Sequence, residues 1–240
     1  MENRYKESNK VTVISIIMNI ILTILKIAAG IIGNSTAIVA DGLHSASDIL
    51  TSIGIIIGNI ISNKPRDNLH QYGHEKAESI VSFLLATILI LVAFKIGMNG
   101  VTSLFNLDKL LVPTILPLIV SVISIAIKEY QYQITIRVAK KINSSALKAD
   151  AWHHRSDALS SIAAFIGIGG AMLGIKILDP IASIVVAIVV VKVGVNILQS
   201  AVLELMDTSI DSEDIENIKL IINQYDKVHE IRDIKSRKYG

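Results

Sequence analysis

Asp41, His44 and Asp48 fall within "ADGLHSASDILTS" (Ala40–Ser52), and Asp150, His153, His154 and Asp157 within "ADAWHHRSDALSS" (Ala149–Ser161). Seven of the thirteen aligned positions are identical, including both acids of each copy and one histidine. Carboxylates and imidazoles are the donors that bind divalent metals. Their spacing matters too, because positions i, i+3, i+4 and i+7 share one face of a helix. Asp41, His44 and Asp48 therefore line one face of a helix, with Ser45, Thr51 and Ser52 beside them. Asp150, His153, His154 and Asp157 line one face of another, with Ser160 and Ser161. Two such helices facing each other offer His44, Asp48, His153 and Asp157, a tetrahedral set of a kind that zinc accepts.

The elements that carry these faces are apolar. The chain has 240 residues, 51% of them hydrophobic and 18% charged, with a mean hydropathy of +0.55. Soluble domains carry about 25% charged residues, so the composition reads as an integral membrane protein. Six windows reach the roughly 20 residues that a span needs: Val11–Ile32, Ser35–Ser62, Ala77–Val101, Val112–Thr135, Leu147–Gly174 and Ile177–Leu203. An ionised side chain at the centre of a bilayer costs about 3 kcal/mol or more, and such residues usually mark ion pathways. A helix-gluing role would suit one such residue better than two matched sets at mid-span. Lys26, Lys95, Lys128 and Lys192 also fall within or near spans, where a long lysine is expected to snorkel to the interface.

Lys and Arg are distributed unevenly. Arg4, Lys6 and Lys10, then Lys64, Arg66 and Lys76, then Arg137, Lys140 and Lys141 gather on one side, against Lys109 and Lys176 on the other. By the positive-inside rule both termini are expected in the cytoplasm. A net charge of +2 without a basic patch gives no case for nucleic acid. The absence of cysteine removes disulfides and thiolate metal sites, and no cleavable signal peptide is evident. From residue 207 the chain turns polar. Asp211 is placed to cap a helix, and residues 228–234 alternate as a strand would. The expected organisation is a six-span domain at 1–206 and an incomplete, apparently truncated α/β segment at 207–240.

At these residues the chain resembles a cation diffusion facilitator, a family of divalent-metal/proton exchangers. "ADGLHSASD" and "DAWHHRSDALSS" resemble the family's second-span and fifth-span motifs, "HQYGHEKAES" its loop signature, and "VHEIRDIKSRKYG" the opening of its cytoplasmic domain. The resemblance implies that His44, Asp48, His153 and Asp157 form the transport site, with Asp41, Asp150 and His154 on the supporting polar face. It implies a loop metal site at Asp67, His70 and His74, although a surface histidine pair is ordinarily just solvated. His229 matches a metal position of the tail, and Lys76 and Asp207 match a charge pair at the membrane surface. A ferredoxin-like cytoplasmic fold and a homodimer in the cell membrane are also implied, the dimer weakened by the short tail.

The expected function is proton-coupled efflux of a divalent metal from the cytoplasm. Zinc is the first choice because of the two imidazoles, with manganese, iron, cobalt and cadmium as alternatives. The metal is cargo, and no cofactor is expected. A non-transporting metal sensor or assembly scaffold would use the same ligands. A metalloenzyme is disfavoured, because no H-E-x-x-H motif and no general base separate from the ligands are present.

Overall fold

The computed structural model describes residues 2–62, 64–74, 76–106, 110–142, 144–225 and 228–237. Lys109, Tyr239 and Gly240, and the side chains of Arg4, Lys6, Thr51 and Ser52, lie outside the described residues. The helices are α1 (Glu2–Ile32), α2 (Thr36–Ser62), α3 (Lys76–Leu104), α4 (Ile115–Lys141), α5 (Ser145–Met172), α6 (Leu178–Leu205) and α7 (Ser212–Ile222). The chain forms two compact units, Met1–Ser52 with Ile88–Gly194, and Ile53–Thr87 with Val195–Gly240.

α1 to α6 coincide with the six apolar windows. Among the described residues, four of them (α1 from Lys10, α3, α4 and α6) are long and apolar enough to cross a membrane by themselves. Length and composition thus support four of the six expected spans. α5 bears Lys148, Asp150, His153, His154, Arg155 and Asp157, which dilute its apolar character, whereas α2 is as apolar on average as α3.

In the first unit, alanines recur in the interior while many large apolar side chains face outward. Ala29, Ala37, Ile38, Val120, Ala164, Ile168 and Ala182 form one buried cluster. Ala40, Leu89, Ala93, Val186 and Val190 form another. Ile24, Ile31, Leu91, Phe94 and Ile188 are exposed. Lipid is as apolar as leucine, so helices in a bilayer associate through close approach and polar contacts rather than by hiding large side chains. Gly33 illustrates the close approach, since a Cβ there would stand 2.3 Å from the Pro117 ring. The missing side chain lets the end of α1 abut the start of α4.

Asn34 takes the left-handed conformation (φ 56°) in the turn between α1 and α2. The next residues begin α2, and their free N–H groups need acceptors. Asp179 of α6 supplies them. It accepts from the Thr36 N–H and hydroxyl, each at 2.8 Å, from the Ala37 N–H at 3.4 Å and from the Ser35 hydroxyl. A carboxylate at a helix N-terminus also complements the helix dipole. At the start of α5, Ser144 does the equivalent locally by accepting from the Leu147 N–H.

In the second unit α7 follows its cap, Asp211, with Glu213 and Asp214 in the first turn. No strand is present among the described residues, and residues 228–237 are irregular. This corrects the α/β expectation for the tail. Among the described residues the alternation of Val228 to Ile234 meets no neighbouring strand, and an isolated strand leaves its backbone groups unpaired. Instead the Ser236 hydroxyl contacts Ser209 and accepts from the Ile210 N–H, and Arg237 lies 3.7 Å from Asp207.

Candidate metal centre

α2 and α5 bring the two copies of the repeat together. His44 Nε2 lies 3.5 Å from Asp157 Oδ1, and His153 Nε2 lies 3.3 Å from Asp48 Oδ1 and 3.9 Å from Asp157 Oδ1. One turn further along α2, Asp41 Oδ1 accepts from the Ser160 hydroxyl at 2.7 Å. As the index on α2 rises by four, the partner on α5 falls by about four, which is antiparallel pairing. Each histidine therefore faces the aspartate of the other copy.

Asp48, His153 and Asp157 each offer one ligand atom, all within 4.8 Å of one another. His44 joins them through Asp157. For a metal bound at 2.0–2.1 Å, a tetrahedron has ligand–ligand edges of about 3.4 Å. The measured edges of 3.3, 3.5 and 3.9 Å lie close to that. Asp157 and His44 are buried, Asp48 is mostly buried and His153 is half-exposed. Asp157 Oδ1 and His44 Nδ1 are buried without a hydrogen-bond partner, and a buried oxygen without a partner is one that a cation can satisfy. A pocket of about 330 Å³ opens onto His44, His153, Ser156, Asp157 and Ser160, walled by Val185, Val186, Val189 and Val193 of α6.

Two lysines stand behind this polar face, and they correct the snorkelling expectation. Lys26 and Lys128 are fully buried. Lys26 Nζ pairs with Asp41 Oδ2 at 2.8 Å and donates to the Ser45 and Ser161 hydroxyls at 3.0 Å. Lys128 Nζ donates to Asp157 Oδ2 at 2.7 Å and to Asn19 Oδ1 at 2.9 Å. Lys95 and Lys192 are exposed. The sequence did carry a signal for the buried pair, because ionisable residues in apolar helices pair with one another. It did not say which acid each lysine would meet. Asp150 is partly exposed and lies 3.6 Å from the buried His154, on the far side of His153 from Asp157 in sequence.

The other predicted residues lie in the second unit. Asp67 accepts from the backbone N–H groups of Leu69 and His70, at 2.9 and 2.6 Å. His70 Nδ1 lies 3.0 Å and His74 Nε2 3.5 Å from the same carboxylate. The His70 backbone N–H is the chief cause holding the Asp67 carboxyl below its ordinary value. The three residues each offer a ligand atom within 4.8 Å of the others. Lys76 Nζ lies 3.1 Å from Asp207 and donates to the Leu205 carbonyl at 3.2 Å. His229 is exposed in the irregular tail.

The profile described as the cation efflux transmembrane domain matches residues 12–206. The chain belongs to the cation diffusion facilitator family. It is thus a multi-pass membrane transporter of metal cations and not an enzyme. It is 37% identical to the manganese efflux system protein MneP of Bacillus subtilis, over 99% of this chain and 82% of that protein. It is 35% identical to metal tolerance protein 2 of Oryza sativa, over 97% of this chain and 66% of that protein. It is 32% identical to the magnetosome protein MamB of Magnetospirillum gryphiswaldense, over 92% of this chain and 74% of that protein.

Proposed function

We propose that this facilitator exports a divalent transition metal from the cytoplasm, in exchange for protons, through His44, Asp48, His153 and Asp157. In this reading α2 and α5 are the second and fifth of six spans, and both termini are cytoplasmic. The observation that carries it is the donor spacing of 3.3–3.9 Å across two antiparallel helices, on a face that also opens to a pocket.

Metal binding requires neutral imidazole and ionised carboxylate. The same donors therefore bind a metal on one side of the membrane and protons on the other. The reference pKa of histidine, about 6.5, lies close enough to cytoplasmic pH for that exchange. Alternating access decides which side the site faces.

Two cargoes have specific support. Two imidazoles beside two carboxylates favour zinc. The relative from Bacillus subtilis is named for manganese efflux, which favours manganese on the same scaffold. Sealed proteoliposomes containing a pH-sensitive dye, supplied with Zn²⁺ or Mn²⁺, test both the exchange and the cargo. Asp48→Ala and Asp157→Ala are each expected to abolish flux while leaving the protein inserted. Metal flux through the unaltered protein without proton counter-movement would refute the exchange, and metal binding without flux would favour the sensor or scaffold reading. The Asp67, His70 and His74 group is proposed as a second, exposed metal site on the loop, and two copies of the chain are proposed to form the working unit.

A further inference from the structure

Asp157 is the donor in contact with both histidines of the proposed transport site, and its two oxygens are in different situations. Oδ1 faces His44 and His153 at 3.5 and 3.9 Å and is buried without a hydrogen-bond partner. Oδ2 accepts from the Lys128 ammonium at 2.7 Å. Lys128 is itself fully buried. Its ammonium also donates to Asn19 Oδ1 at 2.9 Å, and that oxygen accepts from Gln131 Nε2 at 3.2 Å as well. Gln131 Nε2 is tied in turn to the Ser15 carbonyl at 3.1 Å. The lysine is therefore held in place by α1 and α4 from behind.

We propose that Lys128 is a specificity-determining residue that restricts Asp157 to one-oxygen coordination and limits how tightly the cargo is held. This rests on the four-residue transport site proposed above. A carboxylate with a buried cation on one oxygen offers a metal only the other. A four-coordinate ion such as Zn²⁺ is satisfied by one atom from each of four residues. Ions that favour carboxylate oxygen, such as Mn²⁺, gain from a second oxygen that Lys128 withholds. The fixed positive charge also lowers affinity for every divalent ion, so that a metal which has entered can leave.

The test measures binding of Zn²⁺ and Mn²⁺ to the purified full chain by calorimetry, and flux in proteoliposomes. Lys128→Met is expected to tighten binding of both ions by about tenfold to a hundredfold, the range over which groups behind metal ligands act. It should shift the Zn²⁺/Mn²⁺ affinity ratio at least tenfold towards Mn²⁺, and lower KM and kcat together because bound metal leaves slowly. Lys128→Arg keeps the charge and the donor and should restore both affinities and the ratio. Lys128→Gln keeps a neutral donor to Oδ2, so affinity should rise while the ratio stays. If Lys128→Met does not fold, the affinity shift of Lys128→Gln against Lys128→Arg decides. Unchanged affinities and ratio in folded Lys128 variants, with flux lost in Asp48→Ala, would overturn the role of Lys128 alone. Flux that survives in Asp48→Ala would remove the transport-site reading and this inference with it.

Discussion

Removing one partner of the Lys26–Asp41 pair should destabilise the protein far more than removing both. Both side chains are fully buried, and their charged atoms are 2.8 Å apart. With an effective dielectric constant of about 20, two unit charges at that distance attract by about 6 kcal/mol. Desolvation of both ions offsets much of that attraction, so the pair as a whole adds little net stability. Breaking it is different, because the remaining charge is still buried. In Lys26→Met, Asp41 keeps only the Ser160 and Ser161 hydroxyls, at 2.7 and 2.9 Å. In Asp41→Asn, Lys26 keeps the Ser45 and Ser161 hydroxyls at 3.0 Å. Each single substitution should cost about 3–5 kcal/mol. The double variant leaves no charge to strand and should be clearly less destabilised than either single one. The assay is an equilibrium unfolding titration of the purified protein in mixed detergent micelles, read by the fluorescence of its one tryptophan, Trp152. Single variants within about 1 kcal/mol of the unaltered protein would refute the reasoning, because that is the range of exposed pairs. So would a double variant as destabilised as the two singles added together.

Three further outcomes follow from the fold. Asp179→Ala strands the N–H groups that begin α2 and should lower stability by about 1–3 kcal/mol for each donor left buried; a thermal melt that places it no lower than Asp179→Asn would count against the cap. Gly167→Ala should cost about 1–3 kcal/mol, because its Cβ would meet the Ala182 Cβ at 2.4 Å and the Leu178 carbonyl at 2.9 Å. Gly170→Ala should cost less, because its nearest obstacle is a Leu178 methyl, which can rotate away, and the same melt ranks the two. The Asp67 carboxyl is held below its ordinary 3.8, so the loop turn it caps should be fully formed above that pH and lost as the pH falls through the lowered value. Amide exchange at Leu69 and His70 reads this, and protection unchanged to the lowest pH would refute it.

The helices and the polar faces were legible in the sequence because each rests on a local pattern. Apolar windows placed α1 to α6, and the spacing of Asp41, His44 and Asp48 placed them on one face. The strand expected at Val228–Ile234 was not, because alternation describes one strand while a sheet needs two. The environment of Lys26 and Lys128 was equally hidden. A lysine near a span end snorkels or pairs according to whether an acid lies opposite, and that is decided by which helix packs against which.

The repeat itself contained more than its residues. Its copies lie on the second and fifth long helices, with two helices between them, and successive reversals make α2 and α5 antiparallel. Antiparallel packing of two like sequences sets the histidine of each against the aspartate of the other, as His44 with Asp157 and His153 with Asp48. Parallel packing would have set like against like. Yet the two copies do not share an environment. Asp41 is fully buried against Lys26, whereas its counterpart Asp150 is partly exposed and lies near His154. The cations come from outside both copies, Lys26 from α1 and Lys128 from α4, so comparing one copy with the other could not locate them. Lys26 meets an acid outside the four proposed ligands and serves the fold, while Lys128 meets Asp157 within them. That difference makes one buried lysine a determinant of stability and the other a determinant of the cargo.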